Sequence, residues 1–121
     1  MTKIQTIKVM LASRPKIISD VIKNIIERQP DMNMVGDVVD PIKLLFAVKE
    51  TPVDVVIVTP LKTDGEPRIC RHLLAENPEL KIIVLMAGGK TAFLLESGST
   101  KKQIDEPSVD TIVEIIRNSQ I

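Results

Sequence analysis

The chain has 121 residues, 44% of them hydrophobic, with 16 basic and 16 acidic side chains and a formal net charge of zero. That length suits one domain around one sizeable core, and the balanced charge offers no electrostatic footprint for nucleic acid or an anionic membrane. One cysteine excludes an intramolecular disulfide, two phenylalanines without Trp or Tyr exclude aromatic stacking as a main binding mode, and apolar runs of about six residues fall far short of the roughly 20 that span a bilayer.

The opening residues, MTKIQTIK, lack the apolar stretch of a signal peptide, and a reducing cytoplasm is the expected compartment. TIKVMLA (6–12) reads as a buried strand. Pro15 suits a first helical turn, and Ile17, Ile18, Val21, Ile22, Ile25 and Ile26 then mark one helical face that ends at Pro30. MNMVGDVV (32–39) is a second, weaker strand. Asp40 and Pro41 form a cap-and-start pair for a second helix with Leu44, Leu45 and Val48 on its apolar face. VVIVT (55–59) is an unbroken β-branched run, the pattern of a strand buried on both faces. KTDG is a turn, and Pro67 starts a third helix carrying Ile69, Cys70, Leu73 and Leu74, which Pro78 ends. KIIVLMA (81–87) is a fourth buried strand, and GGK turns into a short helical stretch, TAFLLES. GSTKKQID holds Ile104 as its only large apolar residue; Pro107 then opens a last helix with Val109, Ile112, Val113 and Ile116 on one face.

Alternation of apolar strands with amphipathic helices predicts a single α/β domain over 1–121, with a central parallel sheet and helices on both faces. Ligand sites in such sheets gather at the carboxyl ends of the strands. That directs attention to Ala12-Ser13-Arg14, Thr59-Pro60, Met86-Ala87-Gly88 and the stretch near Lys101, Lys102 and Gln103. AGGKT (87–91) is no phosphate loop, because the first glycine of that motif would fall on Val84, inside a strand. Cys70 on the apolar side of its helix is expected to be a small buried hydrophobe, and His72 a solvated or structural side chain. One His and one Cys make no zinc site.

IKVMLASRP, IIERQPDMNMVGDVVDP, VDVVIV and DGEPRICRHLLAENPELKIIVLMA together resemble the receiver domain of two-component response regulators, most of all the subgroup that carries a helix-turn-helix output domain. The resemblance covers nearly the whole chain, with length changes after Thr59 and around residues 96–106. It implies a flavodoxin-like, doubly wound sheet of about five parallel strands, with the region of the fourth helix and fifth strand shortened. It also implies a phosphorylation pocket: two acidic residues that hold Mg²⁺ after the first strand, an acceptor Asp ending the third, a Thr or Ser ending the fourth and a Lys ending the fifth.

On this chain the acidic pair falls on Ser13 and Arg14, the acceptor on Thr59 and the switch hydroxyl on Met86. The Lys falls on Gln103 counted back from Pro107, or on Lys101 or Lys102. Ser and Arg offer Mg²⁺ no carboxylate. Thr59 has a hydroxyl of high pKa and no general base beside it in sequence, and Met86 has no hydroxyl. Phosphoryl transfer needs these groups as a unit, so the pocket is expected to be degenerate, without Mg²⁺ or any other cofactor and without enzymatic activity. Arg14 is read as a solvated rim residue, as an ion-pair partner of Asp64 or Asp37, or as an anion ligand with Ser13, Thr59 and a lysine.

The aromatic switch residue usual in the fifth strand of receivers is absent. The last helix offers Val109, Ile112, Ile115 and Ile116, with the terminal Ile121, as a candidate interaction surface beyond its core stripe. The reading is a pseudo-receiver acting by protein contact or homodimerisation in signalling or transcription control, with no direct DNA contact. The alternatives are a small-anion or small-ligand domain and the regulatory part of a longer DNA-binding regulator.

Overall fold

The computed structural model describes residues 6–13, 16–38, 41–59, 68–86, 91–98 and 102–118. In chain order they form β1 (Ile7–Ser13), α1 (Lys16–Glu27), β2 (Met32–Val38), α2 (Pro41–Glu50), β3 (Val55–Thr59), α3 (Arg68–Glu76), β4 (Lys81–Leu85), β5 (Thr91–Glu96), β6 (Lys102–Asp105) and α4 (Val109–Asn118). The six strands make one sheet in the order β2-β1-β3-β4-β5-β6.

β1, β2, β3 and β4 are mutually parallel. All five residues of β3 are buried, because helices cover both faces of the sheet at its centre. Strand alternation splits the core into two layers. Val9, Leu11, Val55, Ile57 and Ile83 face Ile22 and Ile26 of α1 and Val113 and Ile116 of α4. Met10, Val56, Val58, Ile82 and Val84 face Leu44 of α2 and Cys70 and Leu73 of α3. Cys70 is fully buried there, as expected for a small hydrophobe. The register of β1 against β2 slips between Val9 and Met10, beside Gly36. A Cβ on Gly36 would stand 2.9 Å from the Met10 Cε, so glycine gives that methionine its room.

Asp54 stitches the amino ends of three strands. Its carboxylate accepts from the Lys8 amide at 2.8 Å. Its own amide donates to the Lys8 carbonyl at 2.9 Å, and its carbonyl accepts from the Lys81 amide at 3.2 Å. At the other end of the chain Ser108, rather than Pro107, caps α4: its hydroxyl accepts from the Thr111 amide at 3.1 Å.

Three expectations are corrected. TAFLLES is no helix: residues 91–96 are β5, which runs antiparallel to β4 with Lys81 opposite Glu96 and Leu85 opposite Ala92. The Met86 amide donates to the Thr91 carbonyl at 3.0 Å, extending the pairing of the two antiparallel strands beyond Leu85. β6 adds a second antiparallel pairing, with Thr91 opposite Asp105 and Leu94 opposite Lys102. The sheet therefore has six strands, the last two antiparallel, instead of five parallel ones. Val21 also departs from the expected buried face of α1 and is 54% exposed. It lies about 100° round the helix from Ile22, on the shoulder of the stripe that Ile22 and Ile26 bury.

Candidate functional site

The register sets the carboxyl ends of β1 and β3 flush, with Ser13 directly opposite Thr59. Thr59 is 7% exposed and is the one buried polar side chain among the described residues. No buried side-chain nitrogen or oxygen among them is left without a hydrogen-bond partner, so the interior beneath the strand ends is polar-satisfied. β3 and β4 run in step up to Val58 opposite Val84. Met86 follows just past the end of β4 and packs its half-buried side chain against the α2/α3 layer. Ser13, Thr59 and Met86 thus come to the carboxyl end of the parallel strands, at the place where α/β folds bind ligands.

Mg²⁺ prefers hard oxygen ligands, carboxylates foremost. Ser13, Thr59 and Met86 supply no carboxylate, and among the described residues no three His, Cys, Asp or Glu side chains converge. The donor set at these strand ends does not fit the ion. Arg14, Asp64 and Lys101 lie outside the described residues. Asp37 is engaged elsewhere: its carboxylate pairs with the Lys23 ammonium of α1 at 2.6 Å. That hydrogen bond raises the lysine's pKa.

Lys102 and Gln103 do not reach the site. Lys102 stands opposite Leu94, which stands opposite Ile83, itself opposite Ile57. It is level with the middle of β3 and three strands away from it, a lateral distance of about 14 Å at sheet spacing. Gln103 is exposed and donates to the Asp105 carboxylate at 2.9 Å. The hairpin is the cause, because it places the Lys102 segment outside β5 instead of beside β4.

The candidate surface on α4 is mostly core. Ile116 is fully buried, Val113 is 6% exposed, and Ile112 and Ile115 pack half-buried against the same layer. The side chain of Val109 and residue Ile121 lie outside what is described. Near its carboxyl end α4 is held by Arg117, which donates to Asp31 at 2.7 and 3.0 Å and to Gln29 at 2.6 Å. The guanidinium holds the Asp31 carboxyl below the usual carboxylate range. His72 is exposed, 3.7 Å from Glu76 one turn along α3. Sequence reasoning missed Phe46, 64% exposed on α2, because its neighbours Leu44, Leu45 and Val48 mask it inside an apolar run.

The fold has known counterparts. RcsB of Salmonella enterica serovar Typhimurium bound to the rprA promoter matches with a TM-score of 0.59 at 24% identity, over 67% of this chain and 69% of that one. A LuxR-family two-component response regulator from an Aurantimonas species matches with a TM-score of 0.60 at 23% identity, over 68% of this chain and 59% of that one. The isolated receiver domain of Salmonella RcsB matches with a TM-score of 0.60 at 19% identity, over 93% of this chain and 73% of that one. This chain thus spans less than two thirds of the LuxR-family regulator. No protein-family model matches, and a search of curated proteins returns no relative. The architecture is the flavodoxin-like fold of response-regulator receiver domains.

Proposed function

We propose that this chain is a regulatory domain of receiver fold that works through protein contact and takes no phosphoryl group. The reading rests on the pairing of Ser13 with Thr59, which sets two hydroxyl residues at the strand ends where a receiver needs carboxylates. An aspartate accepts a phosphoryl group as a mixed anhydride with its charge balanced by Mg²⁺ and a lysine. A threonine hydroxyl must first lose a proton of high pKa, which an aspartate carboxylate need not do. Lys102, the described lysine that the family pattern would use, lies at the far edge of the sheet.

The proposed role is therefore that of a partner-binding module in signalling or transcription control, in the cytoplasm, with no catalysis of its own. Zero net charge argues against direct DNA contact by this domain. Incubation with acetyl phosphate and Mg²⁺ should leave the mass unchanged, and beryllofluoride should not bind. A phosphoryl mass increment, or beryllofluoride binding that requires Mg²⁺, would refute the proposal.

A second reading has its own support. The Aurantimonas regulator extends well beyond the matched region, and the RcsB match was solved on promoter DNA. On that reading this domain regulates a DNA-binding module further along the same polypeptide. The full open reading frame decides it: a helix-turn-helix segment after residue 121 supports it, and a stop codon there overturns it.

A further inference from the structure

The sheet has two edges, and they differ. β2 is seven residues long, carries the register slip at Gly36, and has Lys23 of α1 drawn to its Asp37. A bulge and a nearby charge both blunt an edge against pairing. β6 shows no register slip against β5, and its charges sit at its two ends. It is the outer strand of an antiparallel hairpin, regular in register with β5, with Lys102, Gln103 and Asp105 exposed and Ile104 half-exposed. Its outward backbone N–H and C=O groups face no further strand among the described residues.

The charges on this edge are ordered along it. Lys102 opens the strand, Asp105 closes it, and Glu106 follows just past its end. Parallel pairing with an identical strand would set like charges together, whereas antiparallel pairing sets the basic start of each beside the acidic end of the other. A strand paired antiparallel with its own copy has its two-fold axis through a residue, because directly opposed residues must present the same side of the backbone. Centring the axis on Ile104 places Ile104 against Ile104 and Gln103 against Asp105, and brings Lys102 within reach of Glu106 just past the end of the partner strand. Each contact is complementary: apolar on apolar, amide on carboxylate, cation on anion.

We propose that β6 pairs antiparallel with β6 of a second copy of this chain, joining two six-stranded sheets across a two-fold axis at Ile104. The contact uses neither Ser13 nor Thr59, so it holds whether or not the domain accepts a phosphoryl group. A strand pair four residues long is a small interface, so the dimer is weak, with a Kd on the order of 100 μM.

Sedimentation equilibrium of the chain without Mg²⁺ or phosphodonor, from about 5 μM to about 1 mM, tests this. The chain is expected to pass from monomer to dimer across that range. I104K should abolish the dimer, and K102E or E106K should each weaken it about tenfold. The charge swap K102E/E106K should restore it, and circular dichroism should show every variant folded. A chain that stays monomeric throughout overturns the proposal, and so does a dimer indifferent to I104K. A dimer that the swap fails to restore overturns it as well, because the Ile104-centred register then does not hold.

Discussion

β3 and β5 are both short apolar strands of one sheet, separated only by β4, yet they live in different environments. Every residue of β3 is buried, and its parallel neighbours β1 and β4 leave it no free side. β5 has two buried residues, Ala92 and Leu95, among half-buried ones, and runs antiparallel between β4 and the exposed strand β6. In the first region helices close both faces. In the second a hairpin extends the sheet outward. The difference locates the departure of this chain from the parallel receiver pattern after β4, and it is that departure that carries Lys102 and Gln103 away from the strand ends.

The sharpest way to break the comparison is to empty one side chain in each region. Ile57→Ala in β3 removes a fully buried side chain and should cost about 4 kcal/mol in urea unfolding. Leu94→Ala in β5, half-buried against the α1/α4 layer, should cost about 1.5 kcal/mol. Equal losses would mean that the hairpin is as integral to the core as the parallel strands. Asp54→Ala falls between the two at about 2 kcal/mol, because it strands the part-buried Lys8 amide at the base of the parallel region.

A smaller effect concerns the side of the parallel region where α4 packs. Arg117 lowers the pKa of Asp31, so the unfolded chain binds a proton there more readily than the folded one. The stabilisation is complete above the ordinary carboxylate pKa and is lost as pH falls through the lowered folded value. Arg117→Ala should therefore flatten the acid limb of the stability profile while altering the hairpin least, read by hydrogen exchange at each strand. The smallest effect is expected at the exit of the hairpin, where Glu106 has φ of 47°. Glu106→Gly relieves a left-handed backbone but frees the unfolded chain, so a gain of no more than about 0.5 kcal/mol is expected in micromolar, monomeric samples.

The parallel half was readable from composition alone. β1, β3 and β4 announce themselves as apolar runs, and Ile22, Ile26, Leu44, Leu73, Val113 and Ile116 sit at helical spacing and are buried. The strand ends were readable too, since the register of β3 is set by Asp54 and the run after it, and Ser13 is found opposite Thr59. The hairpin was not. TAFLLES is apolar at too many consecutive positions to display either period, and a short apolar run is ambiguous between strand and helix. Gly88 and Gly89 before it were the available sequence signal for a turn out of β4.

By itself the sequence determined which residues avoid water and which chemistry the strand ends lack, because both depend on residue type and local order. Only the tertiary structure decided that residues 91–96 pair with β4, that Lys102 stands at the sheet edge, and that Ile116 is spent on the core. Those outcomes depend on which edge of a growing sheet is still open when the chain turns back. That is a property of the assembled sheet, which no single segment encodes.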